Sequence, residues 1–363
     1  MSGDHQDCPS SAAAATAHGT APGGAGIAHP ATLVCPRGLR GGLGLTVALA
    51  LTLTACAGAS APASSQPPSE SASHTAPGET LRSTPDTGPV PEPPCVLGVP
   101  VDLDLGVNTP GFDGGPTPSF DGLRLYFVSD RPGGQGGGDV WVSTRPSVDA
   151  PFGAPENLGP NVNGAGNEGA PSLSRDELSI VFDRDDGGIW TATRSALDAP
   201  FGDAERLDGP VNTPFAGFPA LSSDGLTLYF ASERSGGQGD LDLWQATKGQ
   251  AAEPYGDVQN LGPSVNLSSA DAMATVSADD LSIVFASTRE GGMGDWDLWM
   301  AVRPDAQARF DTPLNLGRDV NTEGFEGRPH LTSDGSVLFF MSDRPGGQGA
   351  IDLWQVTIDC GSD

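Results

Sequence analysis

Residues Asp334–Trp354 read DGSVLFFMSDRPGGQGAIDLW: an Asp-Gly turn, an apolar run ending in Phe, a Gly-rich loop, and a second apolar run carrying Trp. Asp121–Trp141, Asp224–Trp244 and Asp279–Trp299 repeat the skeleton with the same Asp-to-Trp spacing, and Asp176–Trp190 repeats it with a shorter loop. A unit recurring at such a period defines a repeat architecture. Within each copy apolar residues alternate, as at Leu123, Leu125 and Phe127 or Leu281, Ile283 and Phe285, which is the period of a strand. The repeated Trp is expected to pack between units.

A second marker, Val-Asn, stands at Val162-Asn163, Val211-Asn212, Val265-Asn266 and Val320-Asn321, each Asn 22 residues after its Trp. The fifth copy, Val107-Asn108, lies ahead of the first turn Asp. The chain therefore begins with the outer part of one unit and ends with its inner part, an offset that closes a ring of sheets and leaves no open edge. The expected fold is all-β: a five-bladed β-propeller over residues 95–363, closed by an N-terminal strand near Val101–Leu105.

Composition agrees with many tight turns and little helix: 51 Gly and 33 Pro in 363 residues. The formal charge of −28 argues against nucleic acid and anionic membrane surfaces as partners, because binding to phosphate needs clustered Lys and Arg. Cations, basic peptides and neutral glycans remain open.

Ahead of the repeats, Arg37 and Arg40 precede the apolar run Leu43–Ala55, too short to span a bilayer but suited to a signal peptide. It ends in Leu53-Thr54-Ala55-Cys56, which resembles the lipobox of bacterial lipoproteins. The resemblance implies lipidation of Cys56, with Ala57 in place of Asp favouring the outer membrane. Residues 1–55 then form the leader and signal peptide, with translation expected to start near Val34, and residues 56–94, rich in Ser, Pro and Ala, form a disordered tether. Cys8 and Cys35 fall in the leader, which leaves Cys95 and Cys360, one at each edge of the repeats, to form a disulfide in an oxidising compartment. Two free buried thiols are the alternative.

The pattern P-x-hydrophobic-S-x-DG-x-LYF-x-SDR-x-GG-x-G-x-x-D-hydrophobic-W, seen in Pro116–Trp141 and Pro329–Trp354, resembles the WD40-like β-propeller repeat of bacterial envelope proteins, related to the TolB type. The likeness covers about residues 98–359. It implies binding or scaffolding in the periplasm or at the surface, with no shared catalytic set. Asp176-Glu177 and Asp279-Asp280 depart from its Asp-Gly turn.

Candidate site residues follow from position in the repeat. Asp113, Glu168, Asp271 and Glu326, with Ala216 at the fifth equivalent place, stand three residues before the Pro, or its equivalent, of each inner strand. They are expected to form a broken ring at one channel mouth, for a ligand or for a cation, Ca2+ being the candidate. Solvated carboxylates capping backbone amides are the alternative. Asp130, Glu233 and Asp343, each followed by Arg, are expected to form local ion pairs with Arg131, Arg234 and Arg344. His330 is the one His of the repeats, which disfavours His-based triads and zinc sites. The expected function is that of a monomeric, lipid-anchored binding module for an envelope protein or glycan, with no cofactor beyond that cation. A glycan hydrolase using the ring acids is the second reading.

Overall fold

The computed structural model describes residues 95–359 apart from 186 and 214, and the side chains of 104 and 105 are not described. The leader, Cys56, the tether and Cys360 lie outside the described residues.

Five antiparallel sheets follow one another along the chain. Blade 1 consists of Asp113–Pro118, Arg124–Ser129, Asp139–Thr144 and Glu156–Asn157. Blade 2 runs through Glu168–Leu173, Ser179–Arg184, Ile189–Thr193 and Glu205–Arg206, and blade 3 through Gly217–Leu221, Thr227–Ser232, Asp242–Thr247 and Gly256–Asn260. Blade 4 comprises Asp271–Val276, Ser282–Ser287, Asp297–Val302 and Leu314–Asn315. Blade 5 has Glu326–Leu331, Val337–Ser342 and Asp352–Asp359 from the C-terminal side, and Val101–Asp102 and Val96–Leu97 from the N-terminal side. Each inner strand packs against that of the next blade, and the fifth returns to the first. The fold is therefore the five-bladed propeller that the displaced Val-Asn marker requires.

The second strand of each blade is buried on both faces, not on one: in blade 1 Leu125 and Phe127 are fully buried, and so are Tyr126 and Val128. A sheet sandwiched between two neighbours has no solvent face, which is why these runs read as nearly continuous apolar sequence. Blade-to-blade clusters fill the gaps, and one spans the seam with Leu125, Phe127 and Trp141 against Leu353, Met341 and Leu103. Four of the repeated Trp residues are buried and the fifth, Trp190, is half-buried.

The Val-Asn marker has a definite task. Each Asn side chain accepts from the backbone N–H and donates to the C=O of the residue preceding the blade's Trp. The amide thus supplies the acceptor that the N–H lacks where the outer strand turns away, and gives the C=O a second donor beside the N–H of the outer Leu. Asn108 makes the same pair with Leu353, at 2.9 and 3.0 Å, 245 residues away in sequence, and so fastens the ring.

The loops after the second strands are equally specified. In Gly133–Asp139 the Asp139 carboxylate accepts from the loop amides of Gln135 and Gly136, and Asp242, Asp297 and Asp352 do the same in their blades. A Cβ at Gly136 would lie 2.3 Å from the Gly166 carbonyl of the following blade, so this position admits only glycine. The repeated Asp therefore caps its own loop.

Replacing Asn108 by Ala leaves the Leu353 N–H buried without an acceptor, while the Leu353 C=O keeps only the Leu103 N–H. Chemical denaturation is expected to show a loss of about 1 to 3 kcal/mol.

Candidate functional site

Four positions predicted as a ring of acids open their inner strands, and all four are buried: Asp113 and Asp271 are fully enclosed, as is Glu326, and Glu168 is nearly so. Each meets an arginine of its own blade. Arg131 reaches Asp113 at 2.7 Å, Arg184 reaches Glu168 at 3.0 Å, Arg289 reaches Asp271 at 2.5 Å and Arg344 reaches Glu326 at 3.3 Å. The same carboxylates accept backbone N–H groups from the residue after the Val-Asn marker: Thr109, Gly164, Leu267 and Thr322. Their charge is compensated within the fold, one acid to one guanidinium. The oxygens that a Ca2+ ion would take are largely engaged by these donors. Among the described residues no three carboxylate, imidazole or thiol groups converge as a metal site would require.

This pairing corrects the expectation of local ion pairs. Arg131 and Arg344 turn away from Asp130 and Asp343, which instead accept the backbone N–H groups of Phe112 and Phe325. In blade 3 Arg234 likewise bonds Ser232 and the Val211 carbonyl, and Glu233 is exposed. Each of the five arginines lies over the Phe and the Trp of its own blade, 4.3 to 5.4 Å from the ring centroids. Each also donates to the Val carbonyl of the preceding Val-Asn marker: Val107, Val162, Val211, Val265 or Val320. One side chain thereby links the outer loop of one blade, the inner strand of the next and the Phe-Trp pair that fills it. Cation–π contacts of this kind are worth about 2 kcal/mol when desolvated.

Blade 3 lacks the acid. Ala216 occupies the place, and the Arg234 guanidinium, with no carboxylate beside it, is pushed below its ordinary range by burial. Glu168 is the opposite exception. Its second oxygen is buried without a hydrogen-bond partner, and desolvation raises its pKa.

The sequence did not reveal a second arginine position, after the third strand. Arg145, Arg194 and Arg303 lie 4.4 to 4.6 Å from Phe152, Phe201 and Phe310 and donate to the turn carbonyls of Gly122, Glu177 and Asp280. Lys248 stacks on Tyr255 in the same place. These turns include the two that depart from Asp-Gly. Glu177 and Asp280 both take the left-handed conformation, with φ of 56° and 58°. Glu177 gains from it: its carboxylate binds Arg124 at 2.6 and 2.8 Å and the Tyr126 hydroxyl at 2.9 Å. Asp280 is one carbon shorter and has an oxygen with no partner. Burial pushes its pKa up to about 6, with Asp224 adding to the effect.

The channel is where the blades differ. Each inner strand carries a bulge whose residue has positive φ: Gly115 at 61°, Ala170 at 41°, Phe218 at 55°, Met273 at 57° and Arg328 at 47°. All five line the channel cavity, together with the prolines that follow and His330. Arg328 crosses from blade 5 past Gly115, where a Cβ would lie 3.3 Å from its Cδ. It stacks on Phe218 at 4.7 Å and faces Asp183 of blade 2 at 3.8 Å. His330 contacts Thr275 Oγ1 through Nδ1 at 3.1 Å, and burial lowers its pKa to about 4, leaving it neutral. The only trace of this in the sequence is that one position varies freely inside a frame that otherwise repeats.

Asp271→Ala strands a buried Arg289 and is expected to cost about 3 to 5 kcal/mol in denaturation, whereas Ala216→Asp supplies Arg234 with the missing acid and is expected to raise the melting temperature. For Asp280, a pKa raised in the folded state means that the native protein binds more protons than the unfolded chain between pH 4 and 6, so stability falls as pH rises through that window. Asp280→Asn is therefore expected to raise the melting temperature at pH 7 and to leave it nearly unchanged at pH 3.5.

No family model matches the sequence, and no curated protein matches it. Solved structures similar to the chain include TolB from Acinetobacter baumannii, at 16% identity and a TM-score of 0.44, covering 68% of this chain and 54% of that one. An α-L-arabinofuranosidase from Podospora anserina in complex with cellotriose matches at 13% identity and 0.46, covering 74% and 98%. An endo-arabinase from Bacteroides thetaiotaomicron matches at 14% and 0.45, again covering 74% and 98%. This chain spans about half the length of the Acinetobacter protein.

Proposed function

We propose that the chain is a cell-envelope lipoprotein whose propeller serves as a binding module, with the channel as its ligand site. The observation that carries this reading is the division of labour among repeated positions. Acids that could act as general acid and base are buried against arginines in four blades, while the channel-facing bulge carries a different side chain in every blade. Left-handed backbone is costly for residues other than Gly, so four such residues held at one level of the channel point to a role that packing alone does not supply.

In this proposal Cys56 carries the lipid anchor in the outer membrane, residues 56–94 hold the propeller away from the membrane, and the leader is removed. Among the described residues no helix is long and apolar enough to cross a membrane. A Cys95–Cys360 disulfide belongs to the same proposal. It is supported by the antiparallel register of Val96 with Asp359, the residues next to the two cysteines in sequence.

A hydrolase remains the second reading, favoured by one observation, the raised pKa and unpartnered oxygen of Glu168. The purified protein, incubated with arabinan, xylan and envelope extract, is expected to retain a ligand without releasing reducing sugar. Sugar release that disappears in Glu168→Gln would establish the enzyme instead. In cells, Cys56→Ser is expected to move the protein from the membrane to the soluble fraction, and unchanged membrane association would overturn the anchor.

A further inference from the structure

We propose that the channel binds a small organic carboxylate, held by the Arg328 guanidinium; this rests on the channel being the ligand site.

The first support is the exception within the repeat. The places equivalent to Arg328 hold Gly115, Ala170, Phe218 and Met273. Asp183 lies opposite Gly169 in the ladder, and the matching places in the other blades hold Val128, Ala231, Ala286 and Met341. Apolar residues thus build both positions wherever only packing is required. A desolvated ion pair seldom stabilises a fold more than the apolar residues that could replace it, so this pair needs another explanation.

The pair is also incomplete. At 3.8 Å the Arg328 and Asp183 groups attract but do not hydrogen-bond. Nη1 of Arg328 is buried and has no acceptor. Asp183 is held where it is by the Phe218 N–H, which donates to its Oδ1 at 3.2 Å. Arg328 thus has an unused donor, and its side chain lines the same cavity as Gly115 and Ala170, the two smallest residues of the ring. A planar fork of N–H groups suits the two oxygens of a carboxylate.

The walls specify an organic ligand. Pro116, Pro171, Pro219 and Pro329, with Met273, surround the guanidinium with apolar surface. At the other end the cavity is continued by residues around Phe120 and Arg175, whose guanidinium stacks on the Phe120 ring at 4.0 Å, and His330 lines both sections. In a protein of net charge −28 the channel thus offers arginines at two levels. The turn-side section is also lined by Glu177, whose carboxylate is taken up by Arg124 and the Tyr126 hydroxyl.

The test is isothermal titration of the full chain with acetate, succinate and inorganic phosphate, beside melting curves of each variant. Saturable binding of a carboxylate is expected, weakened at least about tenfold in Arg328→Gln, the loss typical of one hydrogen bond to a charged group. Asp183→Asn keeps the guanidinium and removes its competitor, so it is expected to bind the carboxylate more tightly, an outcome that a purely structural pair does not produce. Absence of saturable carboxylate binding by the unaltered chain would overturn the proposal. So would equal affinity in a folded Arg328→Gln protein, or a preference for phosphate. Retention of an envelope ligand that excess succinate does not displace would reject the carboxylate site and leave the binding-module reading standing.

Discussion

One guanidinium per blade organises this propeller. It stacks on the Phe of the second strand and the Trp of the third, bonds the last loop of the preceding blade, and in four blades meets the acid that opens the inner strand. A β-propeller has no hydrophobic centre of its own: its core is distributed over five interfaces, each needing a fixed distance and angle. Apolar contact is non-directional and cannot set that angle. A planar group with fixed donors can, and in four blades the buried charge meets an acid, so the polar residues of the motif are as much a part of the core as Phe and Trp.

The same logic explains why the repeat keeps residues that look like surface chemistry. Asn of the Val-Asn marker substitutes for a strand, the loop Asp substitutes for water at exposed amides, and Ser and Asp close the hairpin turn. Each satisfies a backbone group that short strands leave open. At the seam, Asn108 on Leu353 makes the one of these bonds that must form between opposite ends of the chain, so closure uses the same chemistry as every other blade.

Against this uniform frame the departures carry the information. Ala216 removes an acid and leaves Arg234 with the backbone, Glu177 adds one and collects Arg124 and Tyr126, and Asp280 adds one with a buried oxygen that has no hydrogen-bond partner. The bulge residues differ in all five blades, and they face the axis, where no neighbouring blade dictates a shape. Symmetry is imposed by packing and lapses where packing ends.

Spacing alone determined the number of blades, the offset closure, the paired strands and the structural use of Trp, because strand period, turn chemistry and the interval between markers are local properties of the chain. Partners were beyond its reach. Arg131 neighbours Asp130 in sequence, just past the strand end at Ser129, yet its acid is Asp113, the ladder partner of Ser129, while Asp130 accepts the Phe112 N–H. Only the tertiary structure showed that the ring acids are neutralised in place, and that Arg328 of blade 5 lies against Asp183 of blade 2 and Phe218 of blade 3. Those residues meet only because five sheets close around one axis, and closure joins positions more than a hundred residues apart that no local pattern connects.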